Sequence, residues 1–207
     1  TIRKSATIRR RINSLGTVLK LSKNHDPTKD PEVVLALKRM HRKIGRAQEQ
    51  AAPLTKILLD QLLNNCDNSI RGIRNQVLLR LGYETMRRRS ELCAFKFEDI
   101  DQAPNGKPII RLNFSKTDQY GAGTVLPIST ELLSLLNKWR EITGNQGYIL
   151  RAANRHGNIG NSLNPASIST ILKALQERIG DAMKIKPLSG HSFRVGAALD
   201  LLEQGEP

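Results

Sequence analysis

At 207 residues the chain is long enough for one sizeable core plus a smaller appendage, and 39% apolar with 25% charged residues is a globular composition, neither disordered nor fibrous. Lys and Arg number 33 against 19 Asp and Glu, and the resulting +14 favours a polyanionic partner by counterion release, which puts nucleic acid first and leaves no reason to expect a small-molecule substrate. No apolar run approaches the ~20 residues of a spanning helix, residues 1–11 are basic with no apolar core behind them, and Cys66 and Cys93 belong to no C-x-x-C or Cys/His cluster, so neither membrane insertion, secretion nor a zinc site is expected.

The first helix starts with Ser5 or Thr7 as cap and carries Ile8, Ile12, Leu15 and Leu19 on one stripe. Asp26 to Pro31 breaks the chain. A second helix then runs from about Pro31 to Ile44 with Val33, Val34, Leu37 and Met40 inward. Two helices this short bury little, so residues 1–45 read as the end of a larger helical domain. Residues 46–53 lack apolar periodicity and form the linker; a second domain covers 54–207. Its first helix, to about Asn64, has Thr55 as cap and Leu54 and Leu59 at the staple positions. Ser69 caps the next, with Ile70, Ile73, Val77 and Leu81 buried, and a third spans Arg87 to Phe95. From Lys107 the period changes to two: Ile110, Leu112 and Phe114 alternate with Ile109, Arg111 and Asn113, and Thr124 to Ile128 is the partner strand across a Gly-rich turn. Helices resume over Thr130 to Ile142 and, with Asn164 as cap, Pro165 to Ile179. The last runs from Ser192 to Gln204, stopped by Gly205, with Val195, Ala198, Leu199 and Leu202 as its buried face. The whole is mainly α with a small antiparallel β-sheet.

Three places can carry chemistry. His191 and Arg194, three residues apart at the start of the last helix, share a face where free N–H groups and the helix dipole already attract anions. In Met86-Arg87-Arg88-Arg89-Ser90-Glu91-Leu92, Arg88 lies along the edge of the face marked by Leu92, and Glu91 three residues on can hold its guanidinium by a charge-assisted bond. Lys116 enters the turn of the hairpin. Taken singly, each has an ordinary reading as a solvated surface charge. Asp99 and Asp101 sit in a turn with Glu98, but no acidic or histidine partner recurs at metal-ligand spacing, so no metal or other cofactor is expected.

Arg88-x-Ser90-Glu91-Leu92 and Gly190-His191-Ser192-Phe193-Arg194-Val195-Gly196-Ala197-Ala198, in this order with Lys116 between them, resemble the two arginine boxes and hairpin lysine of the tyrosine recombinases, or phage integrase family, and most closely its Cre-like members. The resemblance covers 54–207 well and 1–50 more loosely. It implies a tyrosine-recombinase catalytic domain preceded by the end of a helical core-binding domain. Arg88, Lys116, His191 and Arg194 would then be catalytic and Glu91 their support. A tyrosine would attack a DNA phosphate without metal, forming a 3′-phosphotyrosyl link that conserves bond energy for rejoining.

The same resemblance implies duplex DNA as partner, self-assembly on DNA in the intact protein, and a cytoplasmic, nucleoid-associated location. It suggests DNA contacts from Arg9, Arg10, Arg39, Arg42, Lys43 and Arg46 in the first domain and from Arg87, Arg151, Arg155 and Ser167 in the second. The family's nucleophilic tyrosine follows the second box, whereas Tyr83, Tyr120 and Tyr148 all precede it. The catalytic domain is therefore expected to be incomplete at its C-terminus and this polypeptide to bind DNA without cleaving it. The alternative is a non-catalytic duplex DNA-binding relative that lacks the nucleophile.

Overall fold

The computed structural model describes residues 3–47, 50–113, 123–180 and 186–205, and the chain divides into two compact units, 1–50 and 51–207. In the first unit, α1 (Ser5–Leu21) is joined to α2 (Pro31–Ile44) by a single 3-10 turn over Pro27–Lys29. Asp26 and Asp30 hold this connection: their carboxylates accept the N–H groups of Thr28 (3.0 Å) and Glu32 (2.9 Å), and Pro31 starts α2 where a missing N–H costs nothing. Neither helix has a buried residue. Ile8, Ile12, Leu19, Val33, Leu37 and Met40 are half-covered, but Leu15 and Val34, expected inward, are 49% and 37% exposed. Two helices cover each other only along one line, and positions off that line stay wet. Ser5 does not cap its own helix either; its hydroxyl donates to the Gly45 carbonyl (2.8 Å) just past the end of α2.

The second unit contains α3 (Lys56–Asn64), α4 (Ile70–Thr85), α5 (Arg89–Ala94), β1 (Ile100–Gln102), β2 (Pro108–Leu112), β3 (Thr124–Pro127), α6 (Thr130–Thr143), α7 (Ser167–Ile179) and α8 (Ser192–Glu203). It is mainly helical, with one antiparallel sheet in the order β1-β2-β3 that sets Ile110 opposite Ile100 and Leu126. Strand β1 replaces the turn expected around Asp101, whose carboxylate takes a hydrogen bond from Arg111 Nη2 at 2.7 Å across the sheet. Helix α4 is the central element, packed on α3, α6 and α8. Its Val77, Leu78, Leu79 and Leu81 are fully buried, and Ser69 caps it by accepting the Gly72 N–H (3.1 Å). Trp139 of α6 is also fully buried, with its indole N–H donating to the Ile149 carbonyl at 2.7 Å, so the largest side chain enters the core with its polar atom satisfied.

Two expected helix starts differ in detail. Thr55 is the N-cap of α3 as expected but makes no side-chain cap bond; the first N–H of α3, from Lys56, goes to Asp200 Oδ2 of α8 (2.7 Å). Asn164 accepts the Ala166 N–H (2.9 Å) as expected of a cap, but regular helix begins two residues later, at Ser167.

The buried face of α8 is not the expected one. Ser192, Phe193, Gly196 and Ala197 face inward, while Leu199 and Leu202 are 40% and 67% exposed. Two glycine contacts decide this. A Cβ on Gly196 would collide with the Leu54 backbone, and one on Gly82 of α4 would sit 2.7 Å from the Phe193 ring. Backbone closeness selected the face, with Phe193 packed against Gly82, and Leu199 and Leu202 were left outside.

Candidate active site

Helix α4 ends at Met86 in the left-handed region (φ +50°), which turns the chain so that Arg88 stands in extended conformation ahead of α5. Glu91, one turn into α5 and 5% exposed, accepts the Arg88 backbone N–H with Oε2 (3.1 Å) and the Arg88 guanidinium with Oε1 (2.9 Å). One buried carboxylate thus fixes both ends of Arg88, whose side chain remains 40% exposed. The charge is restrained and still open to a ligand, which is how a preorganised anion-binding group differs from a mobile surface arginine. Arg87 instead turns back, with Nε donating to the Thr85 carbonyl (2.8 Å).

His191 and Arg194 rest on an equally restrained segment. The Gln176 amide of α7 donates to the Lys186 carbonyl (3.4 Å) and accepts the Leu188 N–H (2.9 Å). Ser189 and the fully buried Ser192 bond reciprocally, Ser189 N–H to Ser192 Oγ and Ser192 N–H to the Ser189 carbonyl, both at 2.9 Å. The Ser192 carbonyl then accepts the Leu54 N–H (3.0 Å), fastening the first turn of α8 to the entry of α3. His191 is exposed and Arg194 half-buried, with no hydrogen bond or ion pair to the Arg194 side chain among the described residues. The two arginine motifs adjoin: the stem of Arg89, next after Arg88, lies across Gly190, next before His191, with Cδ 2.5 Å from where a Cβ would stand.

The remaining candidates are dispersed. Lys116 and Tyr120 lie outside the described residues; β2 and β3 flank that segment. Arg151 donates to the carbonyls of Tyr148 (2.8 Å), Thr143 (3.0 Å) and Gln146, and so ties the end of α6 to the following loop. Arg155 is exposed, its Nε donating to His156 (3.0 Å), and Ser167 is half-buried at the first position of α7. In the first unit Arg9 and Arg10 are exposed on α1, Arg39, Arg42 and Lys43 on α2, and Arg46 just beyond it. Burial, then the charges of Arg46 and Arg9, hold the His41 imidazole below its ordinary pKa. Tyr83 is engaged: its hydroxyl donates to Asp200 (2.6 Å), and burial followed by that bond pushes its pKa well up. Gln176 and Asp200 escaped the sequence reading because their partners lie ten or more residues away and that spacing carries no signal; Ser189 escaped it although its partner, Ser192, is only three residues on.

Among the described residues no group of three or more His, Cys, Asp or Glu could hold a metal ion, and no helix is long and apolar enough to cross a membrane.

Residues 52–207 match the model of the phage integrase family. Over 209 residues the chain is 30% identical to an integrase/recombinase xerD homolog of Selenomonas ruminantium, covering 94% of this chain and 60% of that protein. Over 217 residues it is 25% identical to the recombinase cre of Escherichia phage P1, covering 96% and 63%. The chain therefore spans about three fifths of the length of these relatives. In fold it is similar to lambda integrase (75-356), solved as a dimer bound to a COC′ core site, at TM-score 0.58 and 16% identity over 99% of this chain and 72% of that one. XerA recombinase gives TM-score 0.57 and 16% identity over 95% and 69%. XerH recombinase, solved with its difH substrate before cleavage, gives 0.55 and 18% over 84% and 53%.

Proposed function

Because the chain belongs to the phage integrase family, we propose that it forms the phosphate-gripping part of a tyrosine-type site-specific DNA recombinase that cuts and rejoins duplex DNA by transesterification. The observation that carries this reading is Glu91, a buried carboxylate holding an exposed arginine beside the second arginine motif.

In this reading the guanidiniums of Arg88 and Arg194 take the non-bridging oxygens of the scissile phosphate and balance the charge that grows on them as a fifth oxygen arrives. The attacking oxygen belongs to a tyrosine, of the kind the family carries after the second box. It forms a bond to phosphorus as the bond to the 5′ oxygen breaks. His191 takes the tyrosine proton and Lys116 supplies one to the leaving 5′ oxygen. A phosphodiester is exchanged for a phosphotyrosyl ester, so the step reverses onto a new 5′ hydroxyl. Tyr83 is unsuited to attack, because its proton is held by Asp200 and its pKa is raised.

The basic residues of the first unit, with Arg155 and Ser167, bind the flanking backbone, and work on chromosomal or phage DNA places the protein at the nucleoid. Assembly on DNA follows the relatives, one of which was solved as a DNA-bound dimer. A competition assay tests the partner class: duplex DNA should displace the chain from structured RNA, and the opposite preference would remove the recombinase reading.

A further inference from the structure

We propose that Arg89 is a positioning residue for His191, acting through Gly190; this rests on the reading of His191 as part of the phosphate site. Three consecutive arginines on a helix usually form a solvated coat, but Arg89 lies differently from its neighbours. Its Cγ and Cδ fill the space where a Gly190 side chain would be, and its Nη1 reaches Ser169 Oγ of α7 at 3.4 Å. The stem is thus a strap across the peptide entering His191, held by its packing against Gly190, while the exposed guanidinium only touches α7 at its tip. Behind the same peptide, Ser189 and Ser192 close their reciprocal bonds and Gln176 holds the approach.

Without the strap the Gly190-His191 peptide is fixed from one side only, and glycine resists rotation less than any other residue. A proton-transfer group displaced by a fraction of an ångström loses rate without losing ligand affinity. The apolar stem supplies this restraint, so charge at position 89 is dispensable for it.

The test combines amide hydrogen exchange at His191 and Ser192 with strand cleavage by the protein carrying this chain, on a duplex selected from a random pool by binding. Arg89→Ala should speed both amides and slow cleavage at saturating DNA, each by about tenfold, with the duplex Kd within about twofold. Arg89→Met keeps a stem over Gly190 and should return exchange and cleavage to within about twofold of the parent. If Arg89→Met falls as far as Arg89→Ala, with weaker DNA binding and unchanged exchange, Arg89 is a phosphate ligand and the proposal is wrong. Unchanged exchange and cleavage in Arg89→Ala, with cleavage lost in His191→Ala, would overturn the positioning role and leave the site reading standing. Cleavage intact in His191→Ala would remove the site reading itself.

Discussion

Glu91 is 95% covered and binds both ends of Arg88, so neutralising it removes a charge-assisted bond and leaves a polar group in a dry place. Glu91→Gln should lower stability by about 1–2 kcal/mol in urea unfolding and slow cleavage more than it weakens DNA binding; unchanged cleavage would separate Glu91 from the site. Met86 has the opposite character. An L-residue at φ +50° costs roughly 1–2 kcal/mol, a cost glycine avoids, so Met86→Gly should raise the unfolding midpoint by about 1 kcal/mol of stability. A lower midpoint would mean the Met86 side chain contributes more than its backbone loses. At this scale Arg88 and Glu91 were legible because a three-residue spacing makes two side chains neighbours on one turn. The contact of Arg89 with Gly190 was illegible, since a pairing across a hundred residues leaves no trace in either local pattern.

Helix α8 shows where periodicity runs out. Phe193, Val195, Ala197, Leu199, Leu201 and Leu202 nearly encircle it, so several stripes satisfy helical spacing and the expected one was not the one buried. The small residues that allow the backbone to approach Leu54 marked the correct face. Gly196→Ala should therefore cost about 3 kcal/mol, whereas Leu202→Ser, at a position 67% exposed, should change stability by less than about 0.5 kcal/mol. Thermal unfolding of the two variants decides between the faces; the reverse order would restore the leucine stripe. Strand β2 was legible from its second half, where Ile110, Arg111 and Leu112 read buried, exposed, buried; Pro108 and Ile109 before them are both covered and carry no alternation. The three-residue β1 was too short to show a period.

Charge is unevenly divided over the molecule. Residues 1–50 hold 13 Lys and Arg against 4 Asp and Glu, which is nine of the fourteen net charges in under a quarter of the length. In the proposed function the first unit therefore contributes most of the sequence-independent attraction to DNA, and the second unit the chemistry. Duplex affinity should fall by roughly a thousandfold between 50 and 200 mM salt if about six phosphates are neutralised. Arg42→Ala should reduce the log–log slope by about one, and an unchanged slope would mean that the charge faces solvent instead of DNA.

In the proposed function Arg88 and Arg194 hold the phosphate that is cut. Covalent protein–DNA complex formation by the protein carrying this chain, on a duplex selected by binding, tests this with Arg88→Ala and Arg194→Ala beside the parent. The parent should accumulate the complex, and each variant should bind the duplex with similar affinity yet form the complex at least about a hundredfold more slowly. Covalent complex at the parental rate in either variant would contradict the assignment.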